Sequence, residues 1–567
     1  MTEVKFDPGL SGSPLWRLIA PEYRDGGEAG GTCWVEGCGR RGTLTCGGCQ
    51  EARYCSKEHQ REHWKVHRPQ CRPFKVVRAP GVGRHLVATR DINPGEIILE
   101  EPPVTGGPRQ YTAPVCLGCH RQVSLTGYRC STCQWPLCGP DCELRPLHTA
   151  ECRVFSQANI RPTPLKRKNG LAMEPEMEVE HPIYECVTPL RVCLSLLVKP
   201  ENWAVVQSME THREERKMLE NQVHNQHNIA RFLMEHVKLA DHIPQITEES
   251  IIMANDVLDV NSFEIRGPGS GSSLRGLYPL TAMMNSSCCP NTQNSIDTDW
   301  RCRVRAVRRI RKGEEICDTY TATLSNTASR RKSLKETKYF YCGCARCADP
   351  SELGSHFSTL VCRVQDCGGY ILCQDPLQLN SAWECLKCHT QMSAQDVAEE
   401  QDQWEEKIEN TPRTLADQEN LLAELLKVYH PHHNMCVDVY FNMIPLFGHS
   451  SRETLIEEAE RKLELVEKVF SVMDKVIPGL FRMRGMFLVE RYTAHLFLLR
   501  SKLESKQISK STFVRKLAGF RSSLEEARMI LSFEPEGSIE SSRLESVRTF
   551  IKQLDNVVAD AGKTLIQ

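Results

Sequence analysis

The spacing of the cysteines constrains this chain more than any other feature. The chain has 28 cysteines, and most of them fall in Cys-x2-Cys-like pairs with histidines between them. In a secreted protein such a count favours disulfides, whereas in a reducing compartment the same pattern is typical of zinc. The first residues show no charged and then apolar leader. We therefore expect an intracellular protein whose paired cysteines bind zinc.

Length and charge narrow the class of protein further. At 567 residues the chain is long enough for several domains, each with its own core. The formal net charge of −1 gives no general attraction to nucleic acids or anionic membranes. No apolar run approaches the ~18–20 residues that span a bilayer. We expect a soluble protein without membrane partners.

The first cluster of zinc-binding residue types lies near the start of the chain. Its eight soft ligands suffice for two tetrahedral sites with no open position, as in structural zinc centres. The ligands are Cys33, Cys38, Cys46, Cys49, Cys55, His59, His67 and Cys71. A second cluster repeats this arrangement farther along the chain. Its ligands are Cys116, Cys119, Cys130, Cys133, Cys138, Cys142, His148 and Cys152.

Two smaller groups of cysteines follow in the second half of the chain. Cys342, Cys344 and Cys347 form a tight group that lacks a fourth ligand nearby. Two further pairs, separated by a short segment, predict one tetrahedral site similar to a zinc ribbon. These ligands are Cys362, Cys367, Cys385 and Cys388.

The remaining segments divide between strand and helix patterns. From Phe74 onwards, short β-branched and apolar runs alternate with turn residues, which predicts strands. Residues 301–306 alternate basic with apolar or small side chains, and we interpret them as an edge strand with one wet face, or else as a basic groove for peptide or nucleic acid. Residues 181–255 and the chain from residue 394 onwards have helical periodicity. The predicted class is a multidomain α+β protein.

Three motifs in order resemble the SET domain of protein-lysine methyltransferases. They are the turn Asn285-Ser286-Ser287-Cys288, the tyrosine Tyr320 after a Gly-Glu turn, and the Cys342-x-Cys344-x2-Cys347 group. They correspond to the cofactor turn, the catalytic tyrosine and the post-SET zinc loop. Together with the two upstream clusters, the chain is identified as a member of the SMYD family. Its layout resembles the arthropod type, which has an extra N-terminal MYND finger.

This resemblance implies a domain order. Residues 33–71 would form the first MYND finger, and residues 74–320 a SET domain. The SET domain would contain a second MYND finger at 116–152 and a helical insert at 181–255. Residues 321–392 would hold the post-SET loop and the ribbon-like site, and residues 394–567 a helical domain similar to tetratricopeptide repeats.

The resemblance also implies how the ligands pair. In each MYND finger the two ligand sets interleave, and Cys288 joins the post-SET cysteines as their fourth ligand. Cys33, Cys38, Cys55 and His59 would share one ion, and Cys46, Cys49, His67 and Cys71 the next. The second finger would follow the same rule, with Cys116, Cys119, Cys138 and Cys142 in one set and Cys130, Cys133, His148 and Cys152 in the other. With the ribbon-like site, the chain would hold about six zinc ions.

The family's cofactor is S-adenosylmethionine (SAM). By resemblance, Tyr320 is the catalytic residue, and the SAM-binding residues are Gly83, Asn285, Ser286, Tyr320 and Phe340. Two positions depart from the family pattern. Ser286 stands where the family has histidine, and Lys338 stands where a second tyrosine precedes the phenylalanine by two residues.

Two functions remain open on these residues. The first is a SAM-dependent protein-lysine N-methyltransferase that acts on histone or non-histone lysines. The second is a catalytically weak or inactive scaffold or transcriptional co-regulator. In both, the MYND fingers would bind proline-containing peptides or co-regulators rather than nucleic acid. We expect a monomer present in the nucleus and cytoplasm.

Overall fold

The fold is described from a computed structural model. The structure describes residues 32–47, 49, 52–68, 71–109, 112–124, 126–162, 182–198, 200–216, 220–266, 273–448 and 455–566. Short strands occur between Leu44 and Met392 and are interrupted by helices between Val187 and Asn261, whereas the described residues from 394 to 566 are mainly helical. The predicted α+β class is therefore confirmed.

The first zinc cluster folds around one short hairpin and one helix. The hairpin pairs β1 (Leu44–Thr45) with β2 (Arg53–Tyr54), and α1 (Lys57–His67) follows. The hydroxyl of Ser56 accepts a hydrogen bond from the backbone N–H of His59 at 3.3 Å and so caps the start of α1. The cap fixes the first turn of a helix that carries two of the predicted ligands.

Three small sheets form the centre of the molecule. Their strands are β3 (Phe74–Ala79), β4 (Gly83–Ala88), β5 (Ile97–Glu101), β6 (Thr105–Pro108), β7 (Ser262–Arg266), β8 (Ser273–Leu277), β9 (Asn285–Ser286), β10 (Thr292–Ile296), β11 (Cys302–Ala306) and β12 (Glu315–Asp318). The strand orders are β3-β4-β12-β9, β10-β11-β5 and β6-β8-β7. In the first sheet β12 runs antiparallel to β4 and parallel to β9.

The prediction of an edge strand at residues 301–306 is wrong. β11 is the middle strand of its sheet, between β10 and β5. Arg303 forms ion pairs with Glu100 at 3.1 Å and Asp297 at 2.8 Å, and the guanidinium of Arg305 lies 4.8 Å from the ring centroid of Phe533. These side chains are half-buried and hold neighbouring elements, so the alternating pattern reflects internal contacts rather than a basic groove.

The second zinc cluster packs on a helical insert. Helix α2 (Pro146–Gln157) closes the cluster. The insert contains α3 (Val187–Val198), α4 (Pro200–Gln207), α5 (Arg213–Arg216), α6 (Glu220–Arg231), α7 (Leu239–His242) and α8 (Glu248–Asn261). A buried ion pair of 2.7 Å joins Glu151 on α2 to Arg191 on α3. Glu151 also lies 3.5 Å from Nδ1 of His148, so the contact between finger and insert orients a predicted zinc ligand.

The post-SET region and the ribbon-like site follow the sheets. Their elements are α9 (Thr327–Lys338), α10 (Ala345–Ala348), β13 (Leu360–Val361), β14 (Tyr370–Cys373), β15 (Trp383–Cys385) and β16 (Gln391–Met392). The last four form one antiparallel sheet in sequence order. The short strands bring both pairs of ribbon cysteines to one end of this sheet.

The rest of the described chain is helical. Its helices are α11 (Ala394–Asn410), α12 (Leu415–Leu425), α13 (Asn434–Met443), α14 (Leu455–Val476), α15 (Arg482–Glu504), α16 (Lys510–Ala518), α17 (Arg521–Leu531) and α18 (Ile539–Ile566). Within the described ranges, no helix combines the length and apolar character needed to cross a membrane. The apolar faces of these helices meet in one core, which also includes Val307 from the central region.

The helical region docks against the centre through a tight turn before α15. The backbone N–H of Leu480 donates to the carbonyl of Val307 at 2.9 Å. Gly479 has φ +108°, and a Cβ placed there would lie 2.2 Å from the same carbonyl oxygen. Gln293 on β10 donates to Glu534 at 2.9 Å and adds a polar contact. The junction therefore requires glycine at position 479.

Candidate functional site

The ligand sets of the two fingers gather in the interleaved pairs that the resemblance implies. In each of the four sets the donor atoms lie within 4.8 Å of one another. The Sγ atoms of Cys38 and Cys55 lie 3.7 Å apart, as do those of Cys46 and Cys71. Tetrahedral zinc with Zn–S bonds of about 2.3 Å places its sulfur atoms about 3.8 Å apart. These donor sets therefore fit structural zinc.

The post-SET cysteines form a fifth set with Cys288 as their fourth member. The Sγ of Cys288 lies 3.5 Å from that of Cys347 and 3.9 Å from that of Cys342. Cys288 ends the turn that starts at Asn285, whereas the other three cysteines follow α9. A bound ion would thus tie this turn to the loop after α9.

Two buried arginines support the post-SET set. Arg330 donates to Sγ of Cys347 at 3.4 Å, and Arg346 donates to the carbonyl of Cys288 at 3.1 Å. Both arginines pair with the buried carboxylate of Glu352, at 2.7 and 2.9 Å. Positive charge beside thiolates favours their ionised form, which is the form that binds metal.

The ribbon cysteines approach each other in two pairs. The Sγ atoms of Cys362 and Cys388 are 3.5 Å apart, and those of Cys367 and Cys385 are 3.7 Å apart. A Cβ placed at Gly369 would lie 2.7 Å from Sγ of Cys385 and 3.1 Å from Sγ of Cys367, so the backbone passes close to the thiols. These distances also fit a four-thiolate zinc site.

Tyr320 lies two residues after the end of β12. Its hydroxyl donates to the carbonyl of Met284, and its backbone N–H donates to the hydroxyl of Ser286 at 3.2 Å. Burial raises the pKa of Tyr320 above its usual value, so the phenol remains protonated throughout the neutral range. Both contacts come from the turn that precedes Cys288, and they fix the position of the phenol.

The first sheet places the predicted SAM-binding residues at one end. β12 finishes beside Ser286 of the parallel strand β9, and the antiparallel strand β4 begins at this end with Gly83. Gly83 has φ +79° and open space where a Cβ would be. Asn285 donates its side-chain amide to Glu315 at 2.6 Å, so this amide is engaged within the sheet.

The two residues that flank the end of α9 differ in exposure. Phe340 is 38% exposed. Lys338 is half-buried, with Nζ 5.5 Å from the ring centroid of Tyr320 and 2.5 Å from the carbonyl oxygen of Val260. Tyr339 between them has φ +64°, and its hydroxyl accepts a hydrogen bond from Arg216 at 3.2 Å. The lysine, rather than this tyrosine, contacts Tyr320.

Sequence reasoning missed one acidic residue at the site, Asp318. It is 4% exposed and accepts hydrogen bonds from Asn294 at 2.6 Å and from the backbone of Thr319 at 2.8 Å. Burial raises its pKa to about 6. The alternation of buried residues along β12, in which Ile316 and Asp318 share the inner face, is the signal that could have identified it.

Comparisons with known proteins agree with this geometry. The MYND finger family matches residues 33–71, and the SET domain family matches residues 83–321. The chain is 29% identical to the SET domain-containing protein SmydA-8, isoform A, of Drosophila melanogaster over 412 residues, which are 70% of this chain and 83% of that protein. The chain thus combines a MYND finger with a SET domain, as SMYD proteins do, and it is similar to members of that family.

Two other relatives extend the comparison. Histone-lysine N-methyltransferase ASHR1 of Arabidopsis thaliana is 26% identical over 63% of this chain and 73% of its own length. N-lysine methyltransferase SMYD2 of Gallus gallus is 25% identical over 49% of this chain and 61% of its own length. Both similarities come from proteins whose names describe methyl transfer to lysine.

Proposed function

We propose that this protein is a SAM-dependent protein-lysine N-methyltransferase of the SMYD family. The observation that carries the proposal is the position of Tyr320. Its phenol is fixed at the carbonyl of Met284, at the end of the sheet where Gly83 and Ser286 also lie. A partly buried hydroxyl beside a backbone carbonyl is suited to hold and orient an amine.

The reaction requires a neutral amine held in line with an activated methyl group. When bound, SAM would supply a methyl group attached to a sulfonium sulfur. The amine nitrogen takes the methyl carbon, and the sulfur departs as a neutral thioether. A free lysine has a pKa of about 10.4, and a desolvated environment lowers this value. The hydroxyl of Tyr320 and nearby carbonyl oxygens would orient the amine, and such orientation alone can contribute several kcal/mol.

The post-SET zinc set would maintain this geometry. Cys288 lies three residues after Asn285, and Met284 supplies the carbonyl that Tyr320 contacts. An ion shared by Cys288 and Cys342 would hold this turn against the loop that carries Phe340. Zinc here would position residues and take no part in bond making.

Substrates and partners are part of the proposal. The acceptors would be lysine side chains of proteins, in histones or in other proteins, with SAM as the methyl donor. The MYND fingers would bind proline-containing segments of partner proteins, which the exposed Trp64 on α1 could contact. A protein of this kind would act as a monomer in both nucleus and cytoplasm, and imaging of a tagged full-length chain would test the location.

Calorimetry with SAM and with S-adenosylhomocysteine tests the proposal first. We expect micromolar binding to the zinc-loaded protein, and transfer of labelled methyl groups to mixed core histones. Tyr320→Phe should reduce the transfer rate by about 10²-fold because the amine loses its orienting hydroxyl, while SAM binding persists. Tyr370→Phe, in the ribbon-like sheet, should leave the rate unchanged. Full activity of Tyr320→Phe would remove this residue from the mechanism.

One observation favours a scaffold as the second candidate. Lys338 places an ammonium group beside Tyr320, where the family has a tyrosine. A protein that binds neither SAM nor S-adenosylhomocysteine, although it is folded and loaded with zinc, would support this second function. Its activity would then reside in the two fingers.

A further inference from the structure

Lys338 is the last residue of α9, and its side chain turns inward toward the proposed site. The ammonium donates to the carbonyl of Val260 and faces the ring of Tyr320 at 5.5 Å. Attraction between an ammonium and an aromatic face acts at distances up to about 6 Å. The side chain therefore lies against the ring of Tyr320, whose hydroxyl orients the substrate amine in the proposed function.

The local charges do not explain why a lysine is buried here. Among the described residues, no carboxylate lies within 4 Å of Nζ of Lys338, whereas the nearby Asp259 pairs with Arg216 at 2.6 Å and Arg275 at 3.2 Å. Burial lowers the pKa of the Lys338 ammonium. A half-buried lysine without an ion pair costs free energy relative to a neutral side chain, so its position calls for a role other than stability.

The backbone at the next residue is strained to allow this position. Tyr339 has a φ of +64°, a backbone conformation that residues other than glycine seldom adopt. The hydrogen bond from Arg216 and the ring of His212, with centroids 5.2 Å apart, hold Tyr339 in this conformation. Such strain persists only where surrounding contacts impose it, and it is often found at functional sites.

We propose that Lys338 is a cis-acting occupant of the amine position beside Tyr320, which a substrate lysine has to displace. The inference rests on the proposed function, because it uses the same phenol. The environment of Lys338 combines the carbonyl of Val260, the ring of Tyr320 and reduced solvent access, and these features also suit a bound substrate amine. The side chain would lower the apparent affinity for substrate in proportion to the time that it occupies this position.

Binding of a small lysine surrogate tests the proposal without any catalytic step. The probe is Nα-acetyl-L-lysine amide. Its binding to the full chain is measured by ligand-observed NMR in the presence and absence of S-adenosylhomocysteine. We expect Lys338→Met to bind the probe about tenfold more tightly than the natural chain, as for a site that is open about a tenth of the time. Lys338→Gln provides a second neutral variant if the first does not fold, as judged by zinc content and melting temperature.

The matched control is Lys332→Met, which neutralises an exposed lysine on the same helix. It should bind the probe as the natural chain does. Equal binding by Lys338→Met, Lys338→Gln and the natural chain, or binding by none of them, would overturn the proposal.

A parallel assay with labelled SAM and mixed core histones separates this inference from the proposed function. If both hold, Lys338→Met gains transfer in proportion to its gain in probe binding. Tighter probe binding without methyl transfer by any variant would support the displacement of Lys338 and reject the methyltransferase function. Methyl transfer without a change in probe binding would support the methyltransferase function and reject the displacement of Lys338.

Discussion

Asp318 illustrates how single residues at the site depend on their surroundings. Its carboxylate is almost fully buried two residues before Tyr320, and its two oxygens accept hydrogen bonds from Asn294 and Thr319. Burial opposes the charged form more strongly than these two donors favour it, so the pKa rises to about 6. The folded state thus binds a proton more readily than the unfolded chain, whose Asp pKa is about 3.9.

We expect Asp318→Asn to stabilise the protein near neutral pH. In the natural chain, the free energy of unfolding decreases as pH rises from about 4 to about 6, because the buried carboxyl must ionise. Asparagine does not titrate, and the amide of Asn294 can turn to accept from it. The difference in unfolding free energy between variant and natural chain should therefore grow by about 1 kcal/mol from pH 5 to pH 7.5, and then level off.

Urea titrations at several pH values measure this difference, and zinc binding largely cancels because both proteins share the same sites. Asp299→Asn, at an exposed carboxylate, is the control and should show no such gain with pH. A constant difference across the range would mean that the carboxyl of Asp318 ionises at its ordinary pH.

At the scale of elements, the post-SET set links two segments that are distant in sequence. Cys288 belongs to the turn after β9, and Cys342 belongs to the loop after α9. The set lies in its own small apolar cluster, which includes Leu334 and the partly buried Tyr320. The first finger, in contrast, has a core cluster that contains none of these residues.

Removing one zinc ligand from the post-SET set, and in a second variant one from the first finger, should separate the effect on methyl transfer from the loss of metal. Cys342→Ala should lose one zinc ion per chain and at least about tenfold in methyl transfer, because the loop and the turn are no longer joined. Cys38→Ala should also lose one zinc ion, yet keep its transfer rate. Metal analysis should give about six zinc ions for the natural chain, and equal loss of transfer by both variants would contradict a local role for the post-SET ion.

Elements also show what the sequence can and cannot predict. The spacing of the cysteines and histidines identifies the candidate zinc ligands, and the family resemblance supplies their pairing, including the distant Cys288. The position of β11 does not follow, since alternation along a strand reveals its two faces but not its neighbours in the sheet. The sequence identifies Lys338 as a departure from the family pattern, but its contact with Tyr320 depends on the left-handed turn at Tyr339, which no sequence pattern indicates.

At the scale of the whole molecule, the helical region and the central sheets form a continuous structure. Val307 belongs to the helical core cluster, and its carbonyl accepts from Leu480 at 2.9 Å. Arg482 donates its backbone N–H to Gln293 at 2.7 Å and pairs with Glu534 at 2.8 Å. The helices therefore support β10 and β11. β10 in turn contacts β12, which leads to Tyr320, because Thr292 donates to the carbonyl of Cys317 at 2.8 Å and Asn294 donates to Asp318 at 2.6 Å.

Substitution of Gly479 should loosen this junction. Gly479→Ala introduces two costs, a positive φ of +108° and a Cβ only 2.2 Å from the carbonyl oxygen of Val307. Gly448→Ala carries the first cost alone, since Gly448 has φ +98° with open space at its Cβ. The additional loss of unfolding free energy in Gly479→Ala, about 1–3 kcal/mol, therefore isolates the crowding at the junction.

Thermal unfolding of the two variants also measures how strongly the junction couples the helical region to the central sheets. If the helical region stabilises the sheets, Gly479→Ala should split the transition into two, and the methyl-transfer rate should fall as the support of β11 weakens. Gly448→Ala should keep the transition pattern and the rate of the natural chain. Equal losses in both variants would mean that backbone strain alone matters, and that the central sheets hold the site without support from the helices.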